Sequence, residues 1–270
     1  MPNETRIFTI DRVAAVRTCA LLCVFAACGD NSDTLPDAGP DPQPDVAVPQ
    51  VMHGGILRTL DLSKPVGDMQ PVLAGAEICV VEGAEPHCVT SAADGRWAIN
   101  LPPNNDDIRI TFTAPGHLSL YLVWFSEDRD NLELTLHLIS DAIVSSFYSS
   151  CGGSYPEQQA GILLQGFRFS PPDDYRYLSG AVASVPAGMG PCYFETPYAH
   201  DPQQLTTTEP GLGMTLFGNV PVAAGSADTT ISLAGTTCYS HRNLVDTATP
   251  NVIRVPLRAG FQTVLDIVCE

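Results

Sequence analysis

Residues 73–101, LAGAEICVVEGAEPHCVTSAADGRWAINL, decide the fold. Short apolar stretches at 78–81 and 97–101 alternate with segments rich in Gly, Pro and Asp. Runs of β-branched and aromatic residues that are interrupted this often by turn-forming residues are typical of strands joined by tight turns. This part of the chain is therefore predicted to form β-hairpins.

Two cysteines in this stretch indicate the register of its first hairpin. If Gly83 and Ala84 are the two loop residues, Cys79 lies directly opposite Cys88. Counting outward from the loop puts this pair at a non-hydrogen-bonded position, where opposed Cα atoms approach to about 4.5 Å and a disulfide fits. We therefore predict a disulfide across the hairpin.

The same strand-and-turn pattern extends over residues 51–141. Segments 109–112 and 132–138 alternate apolar with other residues, and turn-forming residues separate the apolar stretches throughout. Short strands at this regular spacing predict an all-β sandwich. No stretch shows a long apolar stripe of helical period.

Five short motifs in this region resemble the carboxypeptidase regulatory-like domain in their order and spacing. They are GIL at 55–57, LAGAEI at 73–78, TSAADGRW at 90–97, LP at 101–102 and TAPGH at 113–117. The resemblance implies a seven-stranded sandwich related to transthyretin, with Trp97 anchoring its core. It concerns an accessory domain of zinc carboxypeptidases, and the H-x-x-E pair that those peptidases use for zinc is absent here.

A weaker repeat of these motifs follows in residues 142–270. Segments 161–163, 178–182, 206–211 and 219–221 repeat the motif order at wider spacing, and 252–257 and 261–268 read as closing strands. A fixed order at larger spacing indicates a diverged repeat with longer loops. The predicted fold class is all-β, with two transthyretin/prealbumin-like β-sandwich modules in tandem.

The N-terminus carries an export signal. Arg6, Arg12 and Arg17 precede the apolar run TCALLCVFAA at 18–27, which is followed by Cys28. This is the charged and apolar organisation of a secretory signal peptide. The apolar run is too short to span a bilayer, for which about 20 residues are needed.

The tetrad FAAC at 25–28 resembles the lipobox of bacterial lipoproteins, although the family prefers Leu where this chain has Phe25. The resemblance implies that Cys28 is acylated after cleavage of residues 1–27 and anchors the protein to a membrane. Gly29 after the cysteine implies the outer membrane, with a periplasmic or cell-surface location. The alternative is an ordinary signal peptide that is cleaved near Ala27.

A linker is predicted at residues 28–50. This segment is rich in Pro and Asp and has no aromatic or basic residue. It cannot bury enough apolar surface to offset the entropy of ordering, so an extended, disordered tether is expected. The predicted organisation is a signal peptide at 1–27, the linker at 28–50, and sandwiches at 51–141 and 142–270.

Charge and cysteine content limit the possible partners and compartments. Lys and Arg total 13 against 30 Asp and Glu, a formal net charge of −17, which argues against nucleic-acid binding. Six cysteines follow the linker and none forms a C-x-x-C pair, which indicates three disulfides in an oxidising compartment. They are Cys79, Cys88, Cys151, Cys192, Cys238 and Cys269. The last four allow three pairings, of which we favour Cys151 with Cys192 and Cys238 with Cys269.

The sequence lacks the motifs of common enzymes. G-x-S-x-G, Walker loops, the dinucleotide fingerprint and H-E-x-x-H are absent, and the six histidines are scattered. We therefore predict no catalytic residues, no resident metal and no cofactor. Calcium at the acidic turns 104–107 and 127–131 is an alternative, because carboxylate and carbonyl oxygens are its ligands.

Aromatic residues mark a possible ligand site in the second module. Tyr193, Phe194 and Tyr198 lie in a predicted long loop, where aromatic rings can stack on sugars or anchor a protein partner. The alternative is that they fill the second core. The predicted function is a membrane-anchored, non-catalytic lipoprotein that acts as a binding or structural module, with a glycan or a protein as its partner. The alternative function is a hydrolase with its site in the long loops of the second module.

Overall fold

The computed structural model describes residues 49–61, 70–156, 159–170, 174–196, 199–200, 203–208, 211, 213–241 and 244–270. The predicted signal peptide, Cys28 and Tyr198 lie outside the described residues, as does the predicted linker up to residue 48. In the part of the chain that is described, no helix has both the length and the apolar character needed to cross a bilayer.

The described residues form strands joined by turns and loops, with one α-helix. In the first half the elements are β1 (Val51–Leu60), β2 (Glu77–Glu82), β3 (His87–Thr90), β4 (Arg96–Leu101), β5 (Asn105–Thr113), β6 (Leu120–Ser126), β7 (Asn131–Ile139) and α1 (Asp141–Ser150). In the second half they are β8 (Ala160–Ser170), β9 (Asp174–Tyr177), β10 (Val182–Ser184), β11 (Met189–Thr196), β12 (Ala199–His200), β13 (Met214–Val220), β14 (Ser226–Ser232), β15 (Cys238–Ser240), β16 (Val252–Pro256) and β17 (Gln262–Cys269).

The first sandwich consists of seven strands in two facing layers. One layer has the order β4-β1-β7, and the other has the order β6-β5-β2-β3. Alternate residues of β4 are buried, so that Trp97, Ile99 and Leu101 face the core while the residues between them are exposed. The predicted seven-stranded all-β sandwich is confirmed.

The predicted register of the first hairpin is also confirmed. Cys79 lies opposite Cys88 and Val80 opposite His87 in the pairing of β2 with β3. Gly83 in the loop has a φ of 78°, a conformation that glycine adopts without steric cost. The turn and the cysteine pair thus specify the same register.

The second sandwich repeats the strand connections of the first. β8 pairs antiparallel with β13 and parallel with β17, just as β1 pairs with β4 and β7. The opposite layer, β10-β14-β16, matches β2-β5-β6. The second β-sandwich module of the predicted fold class is therefore confirmed.

Individual hydrogen bonds are conserved between the two sandwiches. The N–H of Ala76 donates to the Ser91 hydroxyl at 2.9 Å, and the N–H of Ala181 donates to the Thr207 hydroxyl at 3.0 Å. The preceding glycines, Gly75 and Gly180, donate to the main-chain carbonyls of Ser91 and Thr207 respectively. These contacts place the two turn regions at equivalent positions.

The two sandwiches share one sheet, which the sequence did not predict. β17 pairs parallel with both β6 and β8, so that Val264 lies between Leu122 and Leu163. Leu122 and Val264 belong to the first core, whereas Leu265, the next residue of β17, belongs to the second. Since successive strand residues point to opposite faces, the two sandwiches are built on opposite faces of one sheet.

Helix α1 is a further element that the sequence did not reveal. Its sequence, DAIVSSFYSS, is rich in serine and buries only Val144 and Tyr148, so it shows no long apolar stripe. The Tyr148 hydroxyl donates to Oε1 of Gln262 in β17 at 3.0 Å. Packing on the shared sheet therefore stabilises the helix. The predicted module boundary at residues 141 and 142 lies at its N-terminus and stays a prediction.

Candidate functional site

A groove of about 490 Å³ lies at the edge of the second sandwich, and we call it the rim groove. The described residues that line it include no Asp, Glu, Lys or Arg, although the chain carries 30 acidic residues. Its lining includes Ser150, Val182, Pro191, Tyr193, Gln204 and Leu205. An uncharged lining on so acidic a protein favours an uncharged occupant.

Two exposed apolar side chains border the rim groove. Leu205 is 76% exposed and Val182 is 43% exposed, whereas most large apolar side chains of the described chain are buried. Apolar side chains that cluster at a concave surface mark sites of interaction with other molecules. Leu205 stands alone among polar residues in the segment QQLTTTE, which is the sequence signal that could have indicated this site.

Tyr193 closes one side of the rim groove and is itself buried. Its hydroxyl accepts a hydrogen bond from the N–H of Ala183 at 2.9 Å and lies 3.3 Å from the carbonyl of the same residue. Burial raises the pKa of Tyr193 above its usual value, so the phenol stays protonated. Tyr193 thereby provides a hydrogen-bond partner for the main-chain groups of Ala183 in β10.

The predicted aromatic ligand residues are not brought together at the surface. Tyr193 and Phe194 are each 2% exposed, and Phe194 packs edge-to-face on Phe147 of α1 with ring centroids 5.7 Å apart. In this structure both rings face protein, although Phe194 belongs to the first core and not to the second core that the alternative named. Ligand contact by these two residues stays a prediction, and Tyr198 lies outside the described residues.

All three predicted disulfides are present. Cys151–Cys192 joins the end of α1 to β11 at the rim groove, with Cα atoms 5.9 Å apart. Cys79–Cys88 and Cys238–Cys269 each join directly opposed residues of antiparallel strands. The last of these fixes β15 to β17.

The residue types of a serine hydrolase border a different cavity. Ser240, His241 and Asp266 lie at an apolar cavity of about 70 Å³, where β6 and β15 diverge along β17. The Ser240 hydroxyl donates its only proton to Asp246 at 2.8 Å and accepts from the N–H of Val245 at 3.1 Å. A nucleophilic serine must instead give its proton to a base such as histidine. Ser240 therefore stabilises a turn.

The two acidic turns considered for calcium lie side by side at one end of the first sandwich. The N–H of Asn104 donates to the carbonyl of Glu127 at 3.3 Å. Asp107 is paired with Arg109 at 2.7 Å, and Glu127 with Arg129 at 3.2 Å. Calcium binding at these turns stays a prediction.

Away from the two acidic turns, side chains of metal-binding type converge at one place in the part of the chain that the structure describes. The one group of three is Glu77 with Cys79 and Cys88, whose sulfur atoms are joined in a disulfide. A disulfide sulfur is not the thiolate that binds metals. This group is therefore a structural feature of the hairpin.

Comparison with known proteins gives no family assignment. No family model matches the chain, and no curated protein matches it. Among solved structures, the chain is similar to the Bacillus anthracis TIE protein, with 10% identity and a TM-score of 0.23 over 81% of this chain and 33% of that chain. The chain thus spans about a third of that protein.

Two further solved structures are similar at the same level. GBS52, the minor pilin of Streptococcus agalactiae, has 9% identity and a TM-score of 0.25 over 81% of this chain and 95% of that chain. Two B repeat units of the collagen binding protein of Staphylococcus aureus have 8% identity and a TM-score of 0.22, over 82% of this chain and 49% of that chain. The fold assignment rests on the strand pairing described above, and these similarities carry no argument about function.

Proposed function

We propose that this chain is an exported, lipid-anchored bacterial lipoprotein whose fused β-sandwiches form a non-catalytic binding module for a protein partner. The rim groove carries this proposal, because it exposes Leu205 and Val182 beside an uncharged lining. Exposed apolar anchors at a concave surface are the features that protein interfaces use.

The N-terminal sequence supports the anchored location. Arg residues, an apolar run and the FAAC tetrad precede Gly29, the order found in the lipoproteins that this segment resembles. Acylated Cys28 would anchor the chain to the outer membrane, and the predicted linker at 28–50 would hold the sandwiches away from it. Three disulfides suit a compartment outside the cytoplasm.

A protein partner is favoured over a glycan. Sugar binding by stacking requires an exposed aromatic face, but Tyr193, the aromatic residue in the described lining of the groove, is 2% exposed. Leu205 and Val182 instead offer aliphatic surface, which suits the apolar side chains of a protein. The groove geometry thus supports a protein partner over a glycan.

A non-catalytic role is favoured over the hydrolase alternative. The most complete set of hydrolase residue types in the described chain is at Ser240, and its hydroxyl is held by Asp246 and Val245. The rim groove has no histidine or carboxylate in its described lining that could act as a base. The groove is therefore suited to binding.

Photo-crosslinking in the producing cells tests the binding proposal. A photoreactive amino acid at position 205 of the full chain should give a discrete crosslinked protein product. The same substitution at Leu132, which is 44% exposed on the first sandwich, is the matched control and should give none. Equal products at both positions, or none at either, would contradict a partner site at the rim groove.

Metabolic labelling tests the anchor separately. A clickable fatty acid should label the wild-type protein, and Cys28→Ala should lose both the label and the membrane association. Retention of residues 1–27 in the mature protein, or unchanged labelling of the variant, would contradict the proposed anchoring.

A further inference from the structure

Among the residues that the structure describes, one edge of the first sandwich has main-chain groups that point outward without a strand partner. In the pairing of β4 with β1, the N–H of Leu57 donates to the carbonyl of Gly95 at 2.9 Å. Hydrogen-bonded residues alternate along an antiparallel pair, so the groups of Trp97 and Ile99 face β1. Those of Ala98 and Asn100 face away from it, and we call them the β4 edge.

The rest of this strand's outward groups are satisfied locally. The carbonyl of Arg96 accepts from the N–H of Ala92 at 2.8 Å, and the N–H of Arg96 donates to the Asp94 carboxylate at 3.0 Å. The side chains of Ala98 and Asn100 are exposed. The β4 edge therefore offers a short set of accessible hydrogen-bonding groups, and not the long unpaired strand that promotes aggregation.

In the second sandwich, the equivalent edge is that of β13, and it pairs with another strand. Gly213 precedes β13 as Gly95 precedes β4, and its carbonyl accepts the matching hydrogen bond from Gly166 at 3.1 Å. The residues of β13 that correspond to Ala98 and Asn100 are Leu216 and Gly218. These two pair with Cys192 and Met189 of β11, an antiparallel strand.

The difference arises because the corresponding strands β3 and β11 pair with different neighbours in the two sandwiches. In the first sandwich β3 turns back through its tight hairpin and pairs with β2, where Cys79–Cys88 holds it. In the second sandwich β11 crosses to β13, where Cys151–Cys192 holds it. In the described part of the chain, the edge of β13 therefore has a neighbouring strand and the edge of β4 has none.

The net charge of the chain favours a basic occupant at the β4 edge. Arg96 and Arg109 are already paired with Asp94 and Asp107. Exposed carboxylates without a basic partner among the described residues lie at both ends of the β2–β3 hairpin in the facing layer, with Glu77 opposite Thr90 at one end and Glu85 in the loop at the other. A second copy of a chain with a net charge of −17 would be repelled, whereas Lys or Arg would be attracted.

We propose that the β4 edge binds an extended, basic segment of a partner protein, which adds as an antiparallel strand in the position that β11 occupies on β13. Main-chain hydrogen bonds to Ala98 and Asn100 would supply affinity, and the net negative charge of the chain would favour a basic segment. The inference rests on the proposed binding function and adds a second contact site with a stated partner chemistry.

Amide hydrogen exchange on the full mature chain in detergent tests the proposal. The probe is a short synthetic peptide of alternating Lys and Val, and it should slow exchange at Ala98 and Asn100 by roughly tenfold or more. A peptide with Glu in place of Lys, and a Lys peptide methylated at alternate main-chain nitrogens, should not. Protection by all three peptides, or by none, would overturn the proposal.

A proline substitution gives a second test. Ala98→Pro removes an outward N–H without removing a hydrogen bond to β1, and it should weaken peptide binding by about tenfold or more. Ala98→Thr keeps the N–H and should bind like the wild type. Unchanged binding by Ala98→Pro, with its thermal unfolding also unchanged, would overturn the proposal. If these tests fail while position 205 still crosslinks, the β4 edge inference falls and the proposed function stands.

Discussion

Trp124 donates its indole N–H to Nδ1 of His53 across 3.3 Å, and both side chains are buried. The bond joins β1 to β6 across the first core and requires an unprotonated Nδ1. Burial lowers the pKa of His53, while the carboxylates of Glu127 and Asp130 act in the opposite direction. The folded state therefore favours the neutral imidazole.

This relationship predicts a loss of stability in mild acid. Because the pKa of folded His53 lies below its ordinary value of 6.5, the unfolded chain binds the proton more readily. The stabilising contribution is complete above that value and is lost as pH falls towards the folded pKa. Urea unfolding from about pH 8 to pH 5 should show less pH dependence in His53→Gln than in the wild type. His87→Gln, on the hairpin, is the matched control, and a His53→Gln profile parallel to the wild-type profile would contradict this interpretation.

Tyr148→Phe should destabilise the contact between α1 and the shared sheet. The variant leaves Oε1 of Gln262 without the phenolic donor, in a site where Nε2 of Gln262 already has no partner among the described residues. Leaving a buried acceptor unsatisfied costs about 1–3 kcal/mol in the free energy of unfolding. Ser149→Ala, at an exposed position of the same helix, should change it little. Urea denaturation measures both, and equal small effects would show that the hydrogen bond contributes little.

The sequence predicts those parts of the fold that local rules determine. The Gly83–Ala84 loop and the spacing of Cys79 and Cys88 specify a hairpin register, and the repeated motifs specify two sandwiches. Local rules do not specify which strands lie beside β17. Val264 and Leu265 are apolar residues at successive positions, a pattern that indicates a strand buried on both faces but does not identify its neighbours. The shared sheet therefore could not be predicted.

The rim groove escaped prediction for a related reason. It brings together residues that are distant in sequence, such as Ser150, Val182 and Leu205, and only the last stands out locally. The aromatic residues that did stand out, Tyr193 and Phe194, are buried because β11 crosses to β13. Sequence patterns mark apolar residues, but the strand route decides which of them reach the surface.

Removing the disulfides one at a time should give unequal costs. In the chain-entropy description the stabilisation grows with the loop that a disulfide closes. The sequence separations are 9 for Cys79–Cys88, 31 for Cys238–Cys269 and 41 for Cys151–Cys192. Double alanine variants should therefore lose about 2.5 kcal/mol for the first pair and about 4 kcal/mol for the last. Denaturant unfolding under oxidising conditions measures these losses, and the reverse order would show that loop entropy does not dominate.

The shared sheet predicts that the two sandwiches unfold together. Both tryptophans of the chain, Trp97 and Trp124, lie in the first core, so their fluorescence reports on the first sandwich alone. Ile253→Ala opens a cavity in the second core, where Ile253 is 1% exposed, and should cost about 2–5 kcal/mol. Because β17 pairs with β6 as well as β8, this loss should shift the tryptophan transition in urea together with the far-ultraviolet circular dichroism. Thr230→Ala, at an exposed position of the second sandwich, should leave both transitions in place. In Ile253→Ala, the tryptophan transition could stay at its wild-type midpoint while the circular dichroism separates into two steps. That result would show that the pairing of Leu122 with Val264 does not couple the two cores.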